Sequence, residues 1–146
     1  MTVQTPGLAG AGDLSELHPG EVTRTLLALF AGASGDHNPI HIDTDEARAA
    51  GFDDVLAHGM LSMAFLGHLV TSWVPIGAVR SLKARFLAPT PVHARPCCTG
   101  RISGLEVGAG GERLARIALA VRLEDGTVTV RGEAVVAADA LPAAGD

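Results

Sequence analysis

The chain contains no tyrosine, and only 3% of its 146 residues are aromatic. That scarcity excludes phenol acid–base chemistry and the stacked aromatic platforms on which single-stranded nucleic acid is held. Lysine is nearly absent: Lys83 is the only one, and nothing around it suggests Schiff-base catalysis. Eleven basic residues against sixteen acidic ones leave a net charge of −5, so nucleic acid is not expected as a partner. The two cysteines, Cys97 and Cys98, are adjacent. Neighbouring positions of a strand face opposite ways, so they read as separate thiols in a reducing compartment, with the cytoplasm as the expectation. The opening residues, MTVQTPGLAGAG, have neither a basic start nor an apolar run, so no signal peptide is expected. Charge is missing altogether from Val55 to Val79. His58, Gly59, Gly67, His68 and Pro75 interrupt that stretch, which points to a helix buried in the fold and not to a membrane span.

What is present is enough apolar material, 47% of the chain, for one globular domain of ordinary size. Residues 1–12 read as a flexible leader, 13–138 as the domain and 139–146 as a flexible tail. Thr25 is a plausible N-cap for a short helix over Leu26–Ala31, with Gly32, Gly35, Asn38 and Pro39 forcing a loop behind it. Asp43 or Thr44 suits the cap of a second short helix around Asp45–Ala50. The charge-free segment predicts a long helix from about Gly59 to Trp73, apolar on nearly every face and therefore surrounded. Beyond Val79, Ser81, Lys83 and Arg85 alternate with Leu82, Ala84 and Phe86, the period of a strand. Three more strands follow near Cys97–Leu105, Leu114–Leu123 and Thr127–Val136, the last two joined at Glu124-Asp125-Gly126. The fold expected is α+β, an antiparallel sheet curled around one apolar helix.

The densest polar run is Phe30–Phe52, FAGASGDHNPIHIDTDEARAAGF. Asp36 and His41 share its Gly/Pro-shaped loop, and a carboxylate beside an imidazole can work as an acid–base pair around one water. Ser34 and Asn38 would orient that water or the loop. The same spacing also fits a purely structural Asx-turn. Metal ligation by His37 and His41 is disfavoured, because Pro39 lies between them and no HExxH pattern exists. A Ser34–His41 nucleophile is disfavoured too, since no G-x-S-x-G elbow occurs. Farther on, LAHGM (Leu56–Met60) opens the long helix. First-turn amides lack intrahelical partners, and at Gly59 the amide is open to a carbonyl oxygen, as in an oxyanion hole. Alternatively, His58 and Gly59 only shape a tight turn into the helix.

Taken together, F-A-G-A-S-G-D-H-N-P-I-H followed by A-H-G-M-L resembles the MaoC-like dehydratases, the (R)-specific enoyl hydratases of hot-dog fold. The resemblance covers about Asp13 to Val136 and is nearest to the catalytic subunits of 3-hydroxyacyl-thioester dehydratases. It implies a hot-dog domain, a catalytic dyad of Asp36 and His41, and substrate binding through Asn38, Gly59, Ser34 and His58. The implied reaction is hydration of trans-2-enoyl thioesters of coenzyme A or acyl carrier protein, and its reverse, in fatty-acid or polyketide-type metabolism. No cofactor and no metal is implied, and a homodimer or a pairing with a sister hot-dog subunit is. Arg80, Lys83, Arg85, Arg95 and Arg101 could meet the carrier's phosphates or an acidic carrier surface, or be no more than a solvated strand face. Gly67 either permits close helix–strand contact or leaves a channel for the acyl chain beside Met60, Met63, Phe65 and Leu66. A hot-dog thioesterase and a non-catalytic acyl-binding subunit are the alternatives.

Overall fold

A computed structural model of the chain describes residues 12–143; the expected leader, apart from Gly12, and the last three residues lie outside them. Residues after Gly12 run antiparallel along one sheet edge, bridging Asp13 to Arg101 and Leu17 to Cys98. Helix α1 then spans Arg24–Ser34, capped by Thr23, whose hydroxyl accepts from the Leu26 amide at 3.1 Å. The cap therefore lies two positions before Thr25. Gly32 does not break the helix, because it sits on the exposed side and Cβ-free backbone is tolerated there. Termination falls to Gly35, in the left-handed region at φ 74°, where glycine carries no steric penalty. Asp43 caps α2, Thr44–Ala49, by accepting from the amides of Asp45 and Glu46.

Helix α3, Gly59–Trp73, lies across a four-stranded antiparallel sheet. The strands are β1 (Val79–Phe86), β2 (Cys97–Val107), β3 (Arg113–Arg122) and β4 (Val128–Ala137). Their order across the sheet is β1-β4-β3-β2. This is the hot-dog arrangement. Leu66, Leu69, Val70 and Trp73 of α3 meet Ile117, Leu119, Val121, Val130 and Val136 from the alternate positions of β3 and β4. The strand period of two supplies one apolar face, and the helix buries it. Two glycines set how closely helix and sheet approach. A Cβ at Gly132 would come within 2.8 Å of the Lys83 carbonyl and 3.2 Å of Leu66, and one at Gly100 would fall inside the Trp73 indole. Gly67 differs, since a Cβ there would meet only Leu82, at 3.9 Å. Close packing is therefore no explanation for that glycine.

The expectation that α3 is surrounded needs correcting. Met60 is 58% exposed, and Ala64, His68 and Thr71 continue an open stripe at helical spacing. Apolar content on every face did not distinguish the side packed on the sheet from the side left bare. At the carboxyl end, Ala138–Ala140 form a 3-10 turn, and Ala140 and Leu141 pack against the core. Ordered packing thus continues past residue 138. Cys98 is fully buried and its thiol is pushed up to about 12 by that burial, while Cys97 is half-buried; both thiols are free. No helix among the described residues is long and apolar enough to cross a membrane.

Candidate active site

The loop after α1 is built from side chains folding back on their own backbone. Ser34 Oγ accepts from the Asp36 amide at 3.2 Å, Asp36 Oδ1 from Asn38 at 3.2 Å, and Asn38 Oδ1 from Ile40 at 3.3 Å. Each is a short polar side chain standing in for a backbone acceptor. Pro39 starts a 3-10 turn, Pro39–His41, that rotates His41 inward. The structural and functional readings of this loop are compatible, because the two carboxylate oxygens of Asp36 divide. Oδ1 holds the turn, whereas Oδ2 lies 3.9 Å from His41 Nε2.

His41 is only 8% exposed, and its Nδ1 lies 2.7 Å from the Leu56 carbonyl oxygen. A carbonyl can only accept, so Nδ1 carries a hydrogen and Nε2 faces Asp36, holding a lone pair in the neutral ring. The Asp36 side chain is 53% exposed. Its carboxylate thus faces solvent, while the imidazole opposite is nearly enclosed and meets only the pocket.

The segment before α3 is braced from two sides. Arg24 forks onto both oxygens of Asp54. With the Val55 amide and the Thr44 hydroxyl also donating, Asp54 is held well below the usual carboxylate range. This one carboxylate ties α1, α2 and the run into Leu56 together. On the other side, the Ala57 amide donates to the Thr90 carbonyl at 2.8 Å and Leu56 bridges to Pro91, fastening the irregular strap 88–91 beside the start of α3. No side chain caps the start of α3, so its first amides remain available.

A pocket of about 350 Å³ opens between these pieces. His41, Gly59, Ser62, Phe86, Thr90 and Val130 are among its lining residues. Phe86 explains the glycine: a Cβ on Gly59 would sit 3.2 Å from the aromatic ring. Of the residues singled out in the sequence, His41 and Gly59 line this pocket, and Asp36 reaches His41 from beside it. Ser34 and Asn38 bond the loop backbone, and neither lines the pocket. His58 is 1% exposed and lies behind the pocket wall, with Nε2 3.0 Å from the Asp36 carbonyl oxygen. The side chains expected to bind substrate, Ser34, Asn38 and His58, are thus each engaged with backbone atoms of the loop in this structure. Ser62 and Val130 line the pocket, whereas Gly67, Met60 and Met63 do not.

Sequence reading missed Phe86, Ser62 and Val130. Only Phe86 carried a signal, as the last apolar residue of the β1 alternation just before the A-P-T-P strap. Asp36, His41 and His58 each bring a ligand-type atom within 4.8 Å of the others. However, His41 Nδ1 and His58 Nε2 are already committed to carbonyl oxygens. Glu16, His18 and Cys97 form a second such group, with Glu16 and His18 exposed. Of the five basic residues noted in the sequence, Arg80 pairs with Glu112, Arg95 with Glu21 and Arg101 with Asp13. Among the described residues Lys83 and Arg85 have no such partner.

Residues 13–104 match the family model for the MaoC like domain. The chain is 33% identical over 109 residues to 3-hydroxyacyl-thioester dehydratase Z of Mycobacterium tuberculosis, covering 70% of this chain and 72% of that protein. It is 34% identical over 101 residues to the (R)-specific enoyl-CoA hydratase of Rhodospirillum rubrum, covering 64% and 69%. Among solved structures, the R-hydratase PhaJ1 of Pseudomonas aeruginosa superposes with a TM-score of 0.76 at 28% identity, covering 89% of this chain and 81% of that one.

Proposed function

Since this chain belongs to the MaoC-like domain family, we infer that it is a hydro-lyase adding water reversibly to trans-2-enoyl thioesters, with (R)-3-hydroxyacyl thioesters as the hydrated form. The observation that carries the reading is the 3.9 Å separation of Asp36 Oδ2 and His41 Nε2 beside a pocket that also holds Gly59. Two acceptors at that distance can share one water, each taking one of its hydrogens. With the thioester carbonyl on the Gly59 amide, negative charge developing on that oxygen is met by an unpaired N–H at the positive end of α3. The water oxygen bonds to C3, the dyad takes a proton from it, and C2 receives a proton from the dyad. Dehydration returns both along the same path. The two groups share one water, so acid and base roles belong to the pair. No electron is lost or gained, so the step balances without a redox group.

The test is loss of enoyl absorbance when the full chain is mixed with crotonyl and longer 2-enoyl thioesters of coenzyme A and of acyl carrier protein. Hydration of either supports the reading. Its absence for both, with and without a sister subunit, leaves a non-catalytic acyl-binding domain. Acyl-chain reach is expected to be set where Ser62 and Val130 line the pocket, not at Gly67. Ser62→Leu should block medium and long chains while sparing the four-carbon substrate, whose reacting atoms stay near Gly59. Equal loss on short and long chains would mean damaged packing instead.

We further propose that the assembly is a dimer, of two copies or with a sister hot-dog subunit, joined along β1. Among the described residues that strand pairs only with β4, leaving its other edge unpaired. At its end Phe86 and Leu87, both pocket residues, are half-exposed. A partner strand would cover the edge and complete the pocket wall together. Sedimentation should show a dimer, and a stable, fully active monomer would contradict it.

A further inference from the structure

The Asp36 loop is exposed and His41 lies on a single 3-10 turn, yet their reactive atoms must stay in register. We propose that His58 is a positioning residue that fixes both, clamping the Asp36 peptide from behind and backing the His41 ring, without touching substrate; this rests on Asp36 and His41 being the dyad. His58 Nε2 lies 3.0 Å from the Asp36 carbonyl oxygen, so that nitrogen carries the ring hydrogen. The clamp acts on the peptide and leaves the carboxylate of Asp36 free. The His58 ring stacks on His41, with centroids 3.8 Å apart and planes at 27°, and Phe30 packs on it at 5.0 Å. His41 is thereby held in plane by a ring and in rotation by the Leu56 carbonyl.

The other nitrogen of His58 supports this assignment. Nδ1 is buried and has no hydrogen-bond partner among the described residues. A buried acceptor without a donor is costly, and a phenylalanine at this site would stack without that cost. An imidazole is explained by what its Nε2–H does. Because His58 directly precedes Gly59, one short segment also places the amide that faces the thioester carbonyl. Its position couples the carbonyl-binding end of the pocket to the dyad.

The test uses the full chain and two substitutions that separate the roles. His58→Phe keeps a ring against His41 and removes the donor, whereas His58→Gln keeps a donor and removes the ring. For crotonyl thioester, His58→Phe should lower kcat by about 10–100-fold, the usual consequence of a misplaced reacting group. KM should stay within about twofold, since the side chain does not line the pocket, and His58→Gln should recover part of the loss. Nitrogen-15 ring spectra of the wild-type protein should show His58 protonated at Nε2 and His41 at Nδ1. A folded His58→Phe with wild-type kcat, a rise in KM alone, or ring spectra showing His58 protonated at Nδ1 would each overturn the proposal. If neither variant folds, the wild-type ring spectra decide it. Failure of the wild type to hydrate any enoyl thioester would remove the dyad reading and the proposal with it, whereas wild-type kcat in His58→Phe removes the proposal alone.

Discussion

Asp36→Asn is expected to lower turnover of a 2-enoyl thioester by roughly 10²–10⁴, the range for losing a positioned acid or base. Thermal unfolding should hardly move. The side chain is 53% exposed, and an asparagine can keep the Oδ1 contact to the Asn38 amide that holds the turn. His41→Ala should bring a similar loss of turnover, but not the same stability. His41 is 8% exposed, bonded to the Leu56 carbonyl and stacked on His58. Removing it strands a buried acceptor, at a cost of about 1–3 kcal/mol. Comparing the pair therefore separates chemistry from folding: both lose turnover, and one loses stability as well. Enoyl-absorbance kinetics and denaturant unfolding read the two effects. Substantial activity in either variant would remove that residue from the dyad.

Gly100→Val should destabilise the fold by about 1–3 kcal/mol or more, as overpacking a filled core does. Gly100 faces the Trp73 indole so closely that even a Cβ would overlap it. Trp73 has little freedom to move away, because its Nε1 donates to the Ser15 carbonyl at 3.0 Å and it sits among the core residues of α3. The contact matters to the site because α3 carries Gly59 at its other end. A midpoint shift in urea at unchanged slope is the expected result. If Gly100→Val unfolds within about 0.5 kcal/mol of wild type, where most surface substitutions fall, Trp73 has a second place to go and the close approach is not limiting.

The elements whose signals are local were legible in residue order. The span Gly59–Trp73 is bounded by a glycine and by Pro75, and the four strands follow a period of two with turn residues between them. These fix the α+β class without reference to the rest of the chain. The first helix was harder, since Thr23 and Thr25 are both competent caps and Gly32 suggested a break. Tertiary contacts decided between them: Arg24 reaches Asp54, which draws the helix start back to Thr23. The bare stripe of α3 was hidden for a different reason, because helix periodicity cannot reveal which side the sheet will cover.

For the site, the D-x-N-P-I-H run and the A-H-G turn marked Asp36, His41 and Gly59 as a unit. Spacing along a chain cannot state that a carboxylate oxygen and an imidazole nitrogen lie 3.9 Å apart, nor which oxygen is occupied by the turn. It also left Ser34, Asn38 and His58 undivided from the residues facing the pocket. Ser34 and Asn38, each two positions from Asp36, turn out to serve the loop backbone, because an exposed loop must satisfy its amides locally. Phe86, Ser62 and Val130 complete the pocket from β1, α3 and β4. The proposed dyad and the Gly59 amide were marked by short motifs. Which residues line the pocket depended on where three separate elements meet, and only the packing of α3 on the sheet determines that.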